Sequence, residues 1–91
     1  MQPKLSEKET QILIALSKVI KGKRLEKAKS QRIFADEYEI QKSLISRLEN
    51  CNNEPKLFSL WKIANALEIN PSELFQLVEK ELGENIILID K

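Results

Sequence analysis

The stretch that most narrows what this chain can fold into is SQRIFADEYEIQKSLISRLEN, residues 30–50. Its small and apolar residues, Phe34, Ala35 and Tyr38 and then Ile40, Ile45 and Leu48, recur as on two short helices that cross at a tight turn. Ala35 takes the point of closest approach, Ile45 and Leu48 sit three apart on the second helix, and Ile40 plugs the turn. One face is therefore committed to packing. Left outward on the second helix are Gln41, Lys42, Ser43, Ser46, Arg47 and Asn50, hydrogen-bonding side chains with two positive charges and no outward acid. Such an edge suits a DNA groove.

Helical signals continue on both sides. Ser6 with Glu9 three residues on is a capping-box pattern, and Ile12, Leu13, Leu16, Val19 and Ile20 follow at helical spacing. Gly22 costs this first helix about 1 kcal/mol relative to alanine, too little to end it, so it should reach about Ala28. Ser30 is the expected N-cap of the second helix, which ends near Glu37 or Tyr38. Gln41 is a weaker cap for the third, which runs to about Asn50. The segment CNNEP then reads as a loop. Leu57, Leu60, Trp61, Ile63, Ala64 and Leu67 give a fourth helix an apolar face ending near Glu68, with Trp61 expected in the core. Asn70 and Glu73 frame the next cap, Pro71 takes the first helical position, and Leu74, Phe75, Val78 and Leu82 carry a fifth helix to Gly83.

The tail ENIILIDK sets Ile86, Ile87, Leu88 and Ile89 between charged ends. These residues suggest a short strand or an adhesive arm, to be covered by its own domain or by a second copy of the chain. The expected fold class is all-α, with five helices over residues 1–83 and a short C-terminal extended arm or strand over residues 84–91. The four apolar tail residues are candidate dimer contacts. No internal repeat is expected.

Composition removes several function classes. A chain of 91 residues with two glycines and three prolines is one domain and favours helices over sheet. The absence of histidine takes away the usual general base and most zinc patterns, and the single Cys51 has no partner for a disulfide or metal pair. No catalytic residue, metal site or cofactor is expected, and the chain is not expected to be an enzyme. No apolar run approaches the roughly 18 residues that span a bilayer, and MQPKLSEKE lacks a secretory apolar core, so a cytoplasmic protein without membrane contact is expected. Net charge is only +1. It is nonetheless polarised: residues 1–29 carry +5, residues 30–50 carry −1 and residues 51–91 carry −3. The basic block lies immediately before the two-helix stretch.

With five helices placed, the chain resembles the lambda repressor and Cro-like (XRE-type) helix-turn-helix family of prokaryotic and phage regulators. The resemblance covers about residues 20–75 and rests on SQRIFADEYEI, on ISRLEN, on EP before LFSLWKIANALEI, and on NPSELF, in this order. It implies a five-helix lambda-repressor-like domain whose third helix enters the major groove with its early residues at base edges. Carried over position by position, Lys42, Ser43 and Arg47 take the base-reading places. Gln31, beside the Ser30 cap, takes the place of a glutamine that meets the DNA backbone or the first base. Asn52, Asn53 and Lys56 fall in the phosphate-contacting loop, and Arg24 and Glu49 fall on a family pair that forms an internal salt bridge. This chain departs from the pattern at Glu39, where the turn usually has glycine and where a left-handed backbone costs other residues about 1 to 2 kcal/mol. Lys23 and Lys29 replace apolar residues, and Cys51 replaces a common glycine.

The expected partner is double-stranded DNA, read as a palindromic operator by a homodimer whose two third helices lie about one helical turn apart. The alternative is a protein-interaction module on the same fold, such as an antitoxin or accessory subunit with a toxin as partner. Near-neutral net charge and the apolar tail favour that alternative.

Overall fold

The structure, a computed structural model, describes residues 5–28, 30–50 and 53–89. Five helices follow one another: α1 (Glu7–Lys27), α2 (Gln31–Glu37), α3 (Lys42–Asn50), α4 (Leu57–Ala66) and α5 (Pro71–Leu82). The Ser6 hydroxyl accepts from the Glu9 backbone N–H at 3.1 Å while the Glu9 carboxylate accepts from the Ser6 N–H at 2.8 Å, so two donors left over at the start of α1 are satisfied. The helix then runs through Gly22 without a break. A Cβ there would meet nothing within 4 Å, so packing does not require the glycine.

Helix α1 is the organising element, packed against α5, α3 and α2, while α4 packs chiefly against α5. Each helix contributes one large, fully sealed side chain to the core, namely Ile20, Phe34, Ile45, Ile63 and Leu74. Burying a side chain of this size is worth about 1.5 to 3 kcal/mol, so the five together tie all the helices to one centre. Leu44 joins them as a buried residue of α3 outside the sequence-derived core set.

Two of the connections share one design. The end of α2 and the turn after it carry Phe34, Ala35, Tyr38, Glu39 and Ile40, and the end of α4 and its turn carry Ile63, Ala64, Leu67, Glu68 and Ile69, with matching spacing. In both, a glutamate takes the left-handed conformation, with φ of 53° at Glu39 and 61° at Glu68. The isoleucine that follows donates its N–H back into the helix, from Ile40 to Ala35 O at 3.1 Å and from Ile69 to Ala64 O at 3.0 Å. Such six-to-one closure satisfies carbonyls that the helix end leaves open. The chain thus carries a local structural repeat that the sequence reading did not expect, because the shared pattern is short and sparse. Glu39 keeps the usual left-handed turn despite its side chain. Lys27 joins the two turns: its Nζ lies 5.6 Å from the centre of the Tyr38 ring and 3.4 Å from Glu68 Oε1.

One expectation needs correction, and of the two forms expected for the tail only the arm is found. Trp61 is not a core aromatic: it is 52% exposed, beside Phe58 at 73% and Leu57 at 62%. Helix α4 buries Ile63, Ala64 and Ala66 against the body, so the flank bearing the other three side chains stays open. Phe75 on α5 is likewise exposed. The tail, in turn, is an arm and not a strand: no strand occurs among the described residues, so it has no second extended segment to pair with. The arm returns to the start of α1, where Lys8 Nζ donates to Ile87 O at 3.0 Å. There Leu88 lines a depression of about 100 Å³ with Leu5, Glu9, Ile12, Leu13 and Glu54. Ile86 is half-buried, whereas Ile87, Leu88 and Ile89 remain exposed.

Candidate nucleic-acid interface

The outward edge of α3 follows from what its other side buries. Leu44, Ile45 and Leu48 face the core, leaving Gln41, Lys42, Ser43, Arg47 and Asn50 exposed and Ser46 half-buried. Bonds along the helix order this edge. Arg47 Nε donates to Ser43 O at 3.4 Å, and Asn50 Nδ2 donates to the Ser46 hydroxyl at 3.4 Å. Gln41 stands just before α3, and its carbonyl accepts from the N–H groups of Leu44 at 3.1 Å and Ile45 at 3.3 Å. Among the described residues no side chain caps the first turn of α3, so its leading N–H groups remain open to an acceptor from outside.

The only acid on α3, Glu49, is turned inward. Its carboxylate accepts from Arg24 Nε at 2.6 Å and from Arg24 Nη2 at 3.0 Å, a two-point pairing with the side chains 5% and 4% exposed. Arg24 Nη1 also donates to Ala28 O at 3.3 Å, which ties the end of α1 into the same cluster. Gln31 Nε2 adds a third donor to Glu49, at 3.1 Å. The carboxylate is therefore compensated inside the protein and contributes no repulsion at the outer edge.

The remaining sequence-derived residues divide by position. The Ser30 hydroxyl oxygen accepts from the Ile33 N–H at 3.0 Å, capping α2 and leaving the hydroxyl proton for an outside acceptor. Gln31 is half-buried and held by Glu49, so one end of its amide is already committed. Asn53 and Lys56 are exposed and share a depression of about 440 Å³ with Arg47, Glu54 and Ser59, which sets the loop after α3 beside its basic end. Asn52 lies outside the described residues. Glu39 shares another depression, of about 510 Å³, with Gln41 and Lys62, so the start of α3 has an acid on its flank. Arg32 is absent from the sequence-derived set. It is an exposed cation in the first turn of α2, next to Gln31, and a lone charge at a helix start was the only signal for it.

Chemically, this edge can donate: lysine and arginine supply N–H groups to base or phosphate acceptors, and serine and asparagine can donate or accept. Among the described residues no cluster of His, Cys, Asp and Glu could hold a metal ion, and no helix is long and apolar enough to cross a membrane. A family model described as helix-turn-helix matches residues 20–74, from the middle of α1 into α5. No curated protein and no solved structure matches the chain.

Proposed function

Because the chain belongs to the helix-turn-helix family of lambda repressor and Cro-like DNA-binding regulators, we propose that it is a sequence-specific transcriptional regulator that seats α3 in the major groove. The observation that carries this reading is the acid-free outer edge of α3, with Lys42 and Arg47 exposed and Glu49 neutralised within the fold. Lys42 and Arg47 donate to guanine O6 and N7, where each good bidentate contact discriminates by about 1 to 3 kcal/mol. Ser43, Ser46, Gln41 and Asn50 add polar contacts along the same edge. Ser30, Gln31, Asn53 and Lys56 contact phosphates and fix the register without reading sequence, and we place Asn52 with them. Arg32 extends that phosphate-contacting end.

The protein acts as a homodimer on a palindromic operator in the cytoplasm, without a cofactor. One small module with few cations binds weakly at physiological salt, and two copies on adjacent half-sites overcome this. A protein-interaction module, such as an antitoxin that engages a toxin, is favoured by the near-neutral net charge, by the exposed apolar residues of the tail and by the uncovered apolar flank of α4. Selecting sites from random DNA and titrating salt separates the two readings. The regulator yields a defined site and a steep fall in affinity, by a slope of about −0.9 per phosphate neutralised in a log–log plot. Absence of DNA binding at low salt contradicts it and favours the protein partner.

A further inference from the structure

The acid-free edge of α3 ends beside an acid that DNA reading leaves unused. Glu54, in the loop after α3, lines the depression of about 440 Å³ that also takes Arg47, Asn53, Lys56 and Ser59, and it is the only acid among the described residues lining it. Glu54 is exposed, and its carboxylate forms no hydrogen bond or ion pair among the described residues; the same holds for the Lys56 ammonium. Lys56 is therefore not consumed in a fixed pair. On its other flank Glu54 meets a depression of about 100 Å³ lined by Leu5, Ile12, Leu13 and Leu88 and by a second acid, Glu9. Apolar surface does not hydrate a carboxylate and Glu9 repels it, so the charge is favoured on the side of Arg47 and Lys56.

We propose that Glu54 is an internal competitor of DNA phosphate at Lys56, beside the Arg47 end of α3, and that it holds down the affinity of this part of the interface for any sequence. Nonspecific binding is almost wholly phosphate attraction, so its strength follows the charge that the protein sets against the backbone. With Glu54 ionised, the depression carries a single net positive charge where Arg47 and Lys56 alone would supply two. Taken as a sphere, the depression is about 9 Å across, close to the screening length of about 8 to 10 Å at physiological salt. A phosphate that approaches Lys56 therefore also feels the carboxylate.

Phosphates are present on every duplex, so this repulsion lowers binding to the operator and to unrelated DNA by the same factor and leaves their ratio to the base contacts. Glu54 thus sets how tightly the chain binds and how steeply salt weakens it, while the edge of α3 sets where. This assignment rests on the DNA-binding reading above and adds the residue that restrains it.

Fluorescence anisotropy with the full chain, on a selected operator and on a scrambled duplex at several salt concentrations, tests it. Glu54→Gln and Glu54→Ala each remove the charge, and because Glu54 is exposed both should melt as the wild type does by circular dichroism. Each should bind both duplexes about 3- to 10-fold more tightly at low salt and steepen the log–log salt slope by up to about 0.9. Glu81→Gln makes the same change of net charge on α5, in a depression shared with Lys18, Lys23 and Lys80 and with none of the proposed DNA contacts, and should change affinity by less than about 2-fold. Unchanged or weaker binding by the two Glu54 variants, beside a wild type that binds DNA, would overturn the competition. An equal gain from Glu81→Gln would overturn it too, by tracing the effect to net charge alone. So would a gain on the operator without one on the scrambled duplex, which would make Glu54 a residue that discriminates bases. A wild type that binds no DNA at low salt would instead remove the DNA-binding reading, and this inference with it.

Discussion

The turn between α2 and α3 and the turn between α4 and α5 share a backbone design, with a left-handed glutamate and an isoleucine that closes back onto an alanine carbonyl. The helices that follow them differ. Helix α3 buries its only acid and exposes Lys42 and Arg47, whereas α5 exposes Glu73, Glu79 and Glu81 with Lys80 as its one cation. Their starts differ too. Among the described residues no side chain closes the first turn of α3, while Pro71 opens α5 and the Glu73 carboxylate accepts from the Asn70 N–H at 3.4 Å. The shared turn is therefore not what sets α3 apart as the proposed DNA-reading helix. What separates the two units is where the acids go and whether the helix start is occupied. Both units are tied to α1, the first by the buried Arg24–Glu49 pair and the second by the partly exposed Lys27–Glu68 pair.

That contrast can be broken at several points. The largest effect is expected at the ion pairs. Glu49→Ala strands a buried guanidinium and should cost about 3 to 5 kcal/mol in urea unfolding. Glu68→Ala should cost less than about 1 kcal/mol, because the carboxylate it removes is largely exposed and Lys27 is only half-buried. Equal losses would mean that the two units are anchored alike. On DNA, Lys56→Ala should weaken binding by about the same factor on every sequence and reduce the salt slope by about 1. Lys80→Ala, on the acidic helix, should leave both quantities unchanged, and an equal effect from it would place α5 on the DNA as well. The smallest effect tests the turns themselves. Glu39→Gly removes a left-handed non-glycine residue and should raise stability by about 0.5 to 1 kcal/mol in thermal melts. Glu68→Gly should gain less, since it also gives up the contact with Lys27. A loss at Glu39 would show that its side chain supports the turn.

Much of the fold can be read from local chemistry. The Ser6 and Glu9 box, the Ser30 cap, Pro71 and Gly83 mark helix ends through bonds within one turn of sequence, and the helices form there. Periodicity also locates the sealed residues Ile20, Phe34, Ile45, Ile63 and Leu74. It is less informative about which part of a wide apolar stripe finds a neighbour. Trp61 belongs to such a stripe but falls outside the strip that α4 buries, a result of how the helices pack. The arm fails as a strand for a related reason, since β-favouring residues need a partner that the described chain does not offer. Arg24 and Glu49 are 25 positions apart, too far for any periodic signal, and only the family resemblance links them. The third donor to Glu49, from Gln31, had no sequence signal at all. It alters the candidate site, because part of that amide is already engaged within the protein.

Sequence recognition is the role proposed for the exposed edge from Lys42 to Arg47. Its most direct test is the ratio of affinities for a selected operator and a scrambled duplex at one fixed salt concentration. The wild type is compared with a variant carrying Lys42→Ala and Arg47→Ala. Loss of most of that ratio, with folding intact and weak nonspecific binding retained, is the predicted result. An unchanged ratio in the folded double variant would contradict the assignment of that edge.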